Sequence, residues 1–232
     1  MINILVYNSQ SGRMEWYARE LSAPMPYALT GTLSVREFRG KSNSELIWTD
    51  RRAMEAWNTT RRAWGRPIYV GYAFRRIGEG GHADMSQHYA GVSFDVGQNL
   101  NTSERRQLRS LASSLGVWGY VEPESLTPTW VHFDRRTGVP ACARGGYPVL
   151  SQGVIGVYVA LLQDALGTVG IPSVGVDGVF GPNTRNAVMR FQRENGLGAD
   201  GVVGCATWTR LTSMANGKFR NTSVIPPQYA GE

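Results

Sequence analysis

Two histidines and an aspartate have a spacing that would allow them to share one metal ion. His88 and Asp95 lie seven residues apart, and Gly91 between them permits a sharp turn. His132 lies in a later segment where apolar and polar residues alternate. Three such ligands are typical of a catalytic zinc ion whose fourth position is open. Spacing alone is also typical of a surface pair or a hydrogen-bonded pair. The remaining histidine, His82, follows two glycines in a loop that could line the cleft or face solvent, and solvent exposure is favoured.

The chain around these groups predicts the strands and helices that must hold them. In residues 92–96 apolar and polar side chains alternate, which predicts a strand with Asp95 pointing away from the apolar face. Thr49 or Asp50 can cap a helix that ends at Gly65. Further elements are predicted as a helix at 102–115 and strands at 68–70, 117–121 and 130–133. The first part of the chain is therefore predicted to be an α+β domain.

A change in composition predicts a division into two domains. Small and turn-forming residues fill 137–147, as is typical of a linker. Beyond them, apolar residues recur at helical spacing in three short stretches, and the turn Asp177–Gly181 is repeated as Asp200–Gly204. The predicted boundaries are a first domain at 1–138, a linker at 139–147, a small all-α domain of three helices at 148–214 and a tail at 215–232.

The first domain resembles a known family of wall enzymes. Residues 86–95 read Ser-x-His-x-x-Gly-x-x-x-Asp, and Trp-x-His follows at 130–132. This pattern resembles the zinc signature of the M15-type D-alanyl-D-alanine carboxypeptidase/endopeptidase family, which cuts peptidoglycan stem peptides. The order of the upstream segments is also similar, so that the resemblance extends over much of residues 30–136. It implies the zinc D-Ala-D-Ala peptidase-like (hedgehog/DD-peptidase) fold.

The resemblance also implies a role for individual residues. It gives Zn²⁺ as the cofactor and His88, Asp95 and His132 as its ligands. It gives Arg75, or its neighbour Arg76, as the group that receives a carboxylate of the substrate. Ser86, at the start of the signature, is expected among the substrate-binding residues.

One position departs from the family's pattern and leaves the general base open. Many members have a catalytic Glu or Asp three residues before the last zinc histidine, where this chain has Thr129. A threonine cannot act as the base, so a carboxylate must come from elsewhere if the protein is an enzyme. We expect Glu124, at the end of a strand, to take this role. Glu122 and Asp134 are the alternatives, and a bend at Pro123 would let only one of the two glutamates reach the site.

The second domain resembles the three-helix peptidoglycan-binding domain that accompanies many wall hydrolases. The resemblance covers residues 148–212 and rests on the two repeated turns, the threonine after each turn, and apolar residues in the helices. It implies bacterial peptidoglycan as the partner. The residues by themselves would establish only a helical core with capped turns.

Charge and composition limit the class of protein further. There are 24 basic against 18 acidic residues, and all the basic residues except Lys41 and Lys218 are arginine, which favours an anionic partner. The arginines are dispersed in pairs rather than in one stripe, so we expect no nucleic-acid role. Cys142 and Cys205 either pair with each other or are buried free thiols.

The start of the chain bears on where the protein acts. No apolar run near the start is long enough for a membrane span, and none resembles a signal peptide. We expect a monomer that is made in the cytoplasm and reaches the wall after holin action or lysis, as phage endolysins do.

The function predicted from these patterns is a zinc-dependent peptidoglycan peptidase. The alternative is a degenerate relative that keeps the zinc and binds peptidoglycan without cutting it. Which peptide bond would be cut stays open.

Overall fold

The computed structural model describes residues 1–143 and 145–218, which form a mixed assembly of six helices and nine strands. The N-terminal part contains two small sheets, three α-helices and a short 3-10 helix at Ile77–Glu79. Its elements are β1 (Ile2–Asn8), β2 (Arg13–Arg19), α1 (Val35–Arg39), β3 (Leu46–Asp50), α2 (Arg51–Trp64), β4 (Val70–Tyr72), β5 (Ser93–Val96), α3 (Thr102–Ser114), β6 (Tyr120–Val121) and β7 (Val131–Asp134).

The first sheet has the strand order β2-β1-β3 and was not predicted from the sequence. Strand β1 pairs antiparallel with β2 and parallel with β3. Asp50 ends β3 and caps α2, because its side chain accepts a hydrogen bond from the Arg52 amide at 2.8 Å. This helix ends at Gly65, which has a left-handed backbone conformation. The predicted helix over these residues is thus confirmed, with Asp50 rather than Thr49 as its cap.

The second sheet, with the order β4-β5-β7-β6, is the one that carries the candidate site. All of its pairings are antiparallel. On one face Phe94 and Phe133 lie opposite each other and pack with Trp57 and Trp118 in the core. Successive strand residues point to opposite faces, so Asp95 points to the other face, as the alternation predicts.

Two short strands occupy the segment that the sequence predicts to be a linker. Strands β8 (Pro140–Cys142) and β9 (Gly145–Pro148) form a hairpin, and within it Tyr147 is fully buried. The Trp208 indole N–H donates to the Pro148 carbonyl at 2.8 Å. The buried ring of Tyr147 also contacts Trp208. These two contacts hold the hairpin, whose other residues are mostly small, against the C-terminal helices.

Three helices form the C-terminal module, as predicted. They are α4 (Val157–Thr168), α5 (Pro182–Glu194) and α6 (Cys205–Ala215). In each of the repeated turns, a buried glutamine makes the same hydrogen bonds. The Gln163 side chain accepts from the Gly178 amide and donates to Asp177, and Gln192 does the same for Gly201 and Asp200. Each glutamine satisfies polar groups that would otherwise be buried without partners.

The module and the N-terminal part are joined by buried polar contacts and a disulfide. Asp164 of α4 forms an ion pair with Arg76, with 2.9 Å between Oδ1 and Nε, and the Tyr158 hydroxyl donates to Gln87 at 2.8 Å. Cys142 and Cys205 form a disulfide, which resolves the choice left open by the sequence.

The predicted tail is described only in part. Gly217 donates its backbone N–H to the Ile77 carbonyl, so the chain returns to the N-terminal part after α6. Residues 219–232 of the predicted tail lie outside the described residues. None of the helices in the described ranges is long and apolar enough to cross a membrane.

Candidate metal centre

Asp95 and His132 face each other across two paired strands. Strands β5 and β7 are in a register that puts these residues directly opposite, and His132 Nδ1 lies 2.7 Å from Asp95 Oδ1. The side chains share the sheet face opposite to Phe94 and Phe133. The strand pairing therefore brings together two residues that are 37 positions apart in the chain.

His88 reaches the same carboxylate from the turn before β5. Its Nε2 lies 3.2 Å from Asp95 Oδ2, and its Nδ1 lies 3.0 Å from the Ala73 carbonyl oxygen. A carbonyl oxygen can only accept, so Nδ1 carries a proton in this contact, and Nε2 is the atom that faces Asp95. Gly91 makes the turn possible: it has a φ of +68°, and a Cβ there would lie 2.0 Å from the Trp48 carbonyl oxygen.

His82 also lies in this cluster, which corresponds to the less favoured of its two predicted positions. Its ring stacks on that of His88 with 4.3 Å between centroids. Ligand atoms of His82, His88 and Asp95 lie within 4.8 Å of one another, and His82 Nε2 is buried without a hydrogen-bond partner in the described residues. The solvent-exposed position favoured for His82 is therefore wrong. Its two preceding glycines gave no sign of this packing, which depends on residues far away in the chain.

Asp134 orients His132 from the other side of the ring. Asp134 Oδ2 lies 3.4 Å from His132 Nε2, and Oδ1 accepts from Arg136 Nε at 2.7 Å. Asp134 is fully buried. A carboxylate that accepts from one nitrogen of an imidazole leaves the other nitrogen free to bind a metal. Asp134 is therefore suited to orient His132, and its ion pair with Arg136 makes it unsuitable as the base.

The charges of these groups are strongly coupled. Burial by itself would lower the pKa of His132, but its hydrogen bonds to Asp134 and Asp95 raise that pKa to about 9. Burial would raise the pKa of Asp95, and the two histidines hold it well below its ordinary value. Burial and the nearby His88 lower the pKa of His82 to about 4, so His82 is neutral.

A cavity of about 720 Å³ opens onto this cluster. Two of its residues, Cys205 and Thr209, belong to α6, so the C-terminal module forms part of the wall. Trp130 also lines it, whereas Trp118 packs in the core against Phe133. The remaining lining residues are His82, Ala83, Met85, Ser86, Gln87, His88, Asp95, Tyr120, Glu122, His132, Arg136, Cys142, Ala143 and Gly146.

The expected base does not face this cavity. Glu124 forms an exposed ion pair with Arg106 of α3, with 2.8 Å between Oε2 and Nε, and it is absent from the cavity wall. Glu122 lines the cavity, and its amide donates to the His132 carbonyl at 2.9 Å. A hydrogen-bonded turn begins at Pro123, where the Leu126 amide donates to the Pro123 carbonyl at 3.0 Å, and of the two glutamates Glu122 is the one that lines the cavity. This geometry gives no support to Glu124 as the base, and Glu122, the predicted alternative, is the glutamate that lies at the cavity.

The predicted substrate-binding residues have different surroundings. Arg76 is buried and paired with Asp164, which removes it as a group for binding a carboxylate. Arg75 is half-buried, lies 3.3 Å from the Tyr72 hydroxyl through Nη1, and has a buried Nε without a hydrogen-bond partner in the described part of the chain. It does not line the cavity wall. Ser86 does, and its Oγ accepts from the His88 amide at 3.3 Å.

The donor set fits a zinc ion. The imidazoles of His88 and His132 each turn one nitrogen toward the carboxylate of Asp95, which uses both of its oxygens. Among the described residues, the buried His82 Nε2 has no hydrogen-bond partner. Nitrogen and carboxylate oxygen are ligands that zinc accepts, and both His88 and His132 have their other nitrogen held by an acceptor, as metal-binding histidines do. The ligand atoms of His82, His88 and Asp95 lie within 4.8 Å of one another, and His132 contacts the same carboxylate through Nδ1. The proposed ligands His88, Asp95 and His132 would hold the ion, with His82 beside them.

Comparisons with known proteins find matches to part of the chain. Residues 156–211 match the family model described as "Putative peptidoglycan binding domain". Part of the chain is also 44% identical over 69 residues to the zinc D-Ala-D-Ala carboxypeptidase of Streptomyces albus G, a match that covers 28% of this chain and 26% of that protein.

Two amidases are similar over a stretch of comparable length. N-acetylmuramoyl-L-alanine amidase CwlL of Bacillus licheniformis is 40% identical over 76 residues, which are 30% of this chain and 21% of the relative. The amidase CwlM of Mycobacterium tuberculosis (strain ATCC 25618 / H37Rv) is 45% identical over 74 residues, 32% of this chain and 18% of the relative. The chain thus spans about a quarter or less of the length of these three relatives.

These matches confirm the resemblance that the repeated turns and helices had indicated for the second half of the chain. The C-terminal module, over residues 156–211, is a member of the peptidoglycan-binding domain family.

Proposed function

We propose that this protein is a zinc-dependent peptidase that cuts a peptide bond in peptidoglycan. The single observation that carries the proposal is the convergence of His88, Asp95 and His132 beside a cavity that Glu122 also lines. The similarity of part of the chain to peptidoglycan amidases and to a zinc carboxypeptidase supports the wall as the place of action.

The three ligands would hold the zinc in a fixed geometry. Asp95 and His132 are on paired strands, and the Ala73 carbonyl fixes the ring of His88. When bound, zinc supplies a Lewis acid that polarises a carbonyl and acidifies water. With zinc bound in place of the Nδ1 proton, Asp134 would still accept from His132 Nε2 and so would leave Nδ1 for the ion.

Glu122 is the residue that we propose as the general base. It lines the cavity, and its backbone is tied to that of His132. It would take a proton from the attacking water and return it to the leaving amine. Arg75 carries a guanidinium whose Nε has no partner in the described residues, and it lies close enough to His82 to lower that residue's pKa. It would attract a carboxylate of the stem peptide toward the cluster.

The C-terminal module would keep the enzyme on its substrate. We propose that it binds peptidoglycan, which raises the local concentration of bonds to be cut. The net positive charge of the chain, +6, would favour adhesion to an anionic wall.

The test measures amino groups released from purified sacculi, with and without a chelator. The expected result is release that the chelator stops and that Glu122→Gln lowers by about 10²- to 10⁴-fold while zinc binding is retained. Glu124→Gln is the matched control and should release amino groups at the parental rate. Mass spectrometry of the fragments would identify the bond.

The second candidate function is binding without cutting, which the threonine at position 129 favours. No release from the parent, combined with zinc binding and retention on sacculi, would support that alternative. If Glu124→Gln rather than Glu122→Gln stopped release, the assignment of the base would be wrong.

A further inference from the structure

The third histidine of the cluster lies in a position that its surroundings do not otherwise explain. His82 Nε2 is buried and has no hydrogen-bond partner in the described residues. A buried polar nitrogen without a partner is costly, and such groups are rare in native proteins. A ligand atom of His82 lies within 4.8 Å of ligand atoms of both His88 and Asp95. A cation among these three would satisfy the nitrogen.

The backbone of His82 is held in place by residues distant in the sequence. The His82 amide donates to the Tyr89 hydroxyl at 3.2 Å, and its carbonyl accepts from the side-chain amide of Asn216 at 3.0 Å. The Tyr89 hydroxyl also donates to Asn216 Oδ1 at 2.9 Å. The ring contacts Tyr72 edge-on and His88 face-on. A loop histidine that only faced solvent would not need these constraints.

We propose that His82 is a fourth zinc-binding side chain in the substrate-free protein. The inference rests on the proposed zinc site and adds a donor to the set His88, Asp95 and His132. Four protein donors close a tetrahedral zinc site, whereas catalysis needs a vacant position.

Of the four donors, His82 is the one able to leave. Asp95 and His132 are held on paired strands, and His88 is fixed by the Ala73 carbonyl. His82 lies on a loop, and its ring is placed by packing against the rings of Tyr72, His88 and Tyr89. If His82 dissociated from the ion, the coordination position that the substrate needs would become vacant.

Asn216 is then a positioning residue that acts through His82. It follows α6, so the end of the C-terminal module helps to hold a loop beside the metal site. Asn216 also donates to Asp84 Oδ1 at 2.8 Å, which fixes a second point of the same loop.

The experiment measures the affinity of the full chain for Zn²⁺ by competition with a chelator, and the visible spectrum of the Co²⁺-loaded protein. His82→Ala should weaken zinc binding by about 10- to 100-fold, at least the loss caused by removing a group that supports a ligand. The cobalt spectrum should change in shape, because one nitrogen donor is lost. Met85→Ala, on the same loop and in the same cavity wall, is the matched control and should change neither measurement.

Two further measurements separate metal binding from a damaged fold. The metal-free His82→Ala protein should melt at the parental temperature, while the rise in melting temperature on adding Zn²⁺ should be smaller than in the parent. Asn216→Ala should weaken zinc binding in the parent and have no additional effect in the His82→Ala background, because a residue that acts through His82 cannot act without it.

The outcomes distinguish this inference from the proposed function. If the parent binds zinc, His88→Ala abolishes binding, and His82→Ala changes the affinity by less than about threefold with the same cobalt spectrum, the ligand role of His82 is overturned and the three-ligand site stands. If the parent binds no zinc, both are overturned.

Discussion

The buried ion pair between Arg76 and Asp164 gives a prediction whose size follows from the structure. The pair joins α4 of the C-terminal module to the segment that leads into the His82 loop. The side chains are 8% and 0% exposed, and Asp164 Oδ1 lies 2.9 Å from Arg76 Nε. Asp164→Ala would remove the carboxylate and leave the guanidinium buried without it.

Removing one partner of a buried pair costs about 3–5 kcal/mol of unfolding free energy. Glu79 also contributes favourable charge to Arg76, so we expect a loss in the lower half of this range. For a chain of this size, each kcal/mol shifts the melting temperature by roughly 2–4 °C. Asp164→Ala should therefore lower the melting temperature by roughly 6–16 °C.

The assay is thermal unfolding of the full chain, followed by circular dichroism at neutral pH. The matched control is Glu194→Ala, which removes an exposed partner of Arg190 in the same module and should have little effect. The double variant Arg76→Met with Asp164→Leu should recover most of the loss, because it removes both charges. If the melting temperature of Asp164→Ala is no lower than that of Glu194→Ala, the buried Arg76 guanidinium does not depend on Asp164 for its stability.

Three further perturbations test other parts of the structure. Gln163→Leu and Gln192→Leu should each lower the unfolding free energy by about 1–3 kcal/mol, because Gln163 accepts from the Asp177 and Gly178 amides and Gln192 from the Gly201 amide. Denaturant titration would check this, with the exposed Gln107→Leu as the unchanged control. The disulfide closes a loop with a sequence separation of 63, so the double variant Cys142→Ser with Cys205→Ser should lose about 4 kcal/mol of unfolding free energy. A parent protein whose denaturation midpoint is the same with and without reductant would contradict this. Gly91→Ala should abolish zinc binding, because the added Cβ would lie 2.0 Å from the Trp48 carbonyl oxygen. The control is Gly12→Ala, which has a similar φ of +70° but lies in open space. It should lower the unfolding free energy by only about 1–2 kcal/mol and leave zinc binding intact.

Local sequence patterns determined much of the secondary structure and the identity of the central residues. The cap at Asp50, the stop at Gly65 and the alternation around Asp95 depend on contacts within a few residues, so they can be read from the chain. The repeated turns of the C-terminal module could be recognised from the sequence in the same way, and the family match over residues 156–211 confirms the resemblance that they indicated.

Only the tertiary structure decided which charged groups reach the cluster. Whether Glu122 or Glu124 faces the cavity depends on the pairing of Glu122 with His132 and on Arg106, which draws Glu124 to the surface. His82 is held by Asn216, 134 residues away, and Arg76 by Asp164, 88 residues away. Such contacts arise from the packing of distant elements, for which spacing in the sequence carries no signal.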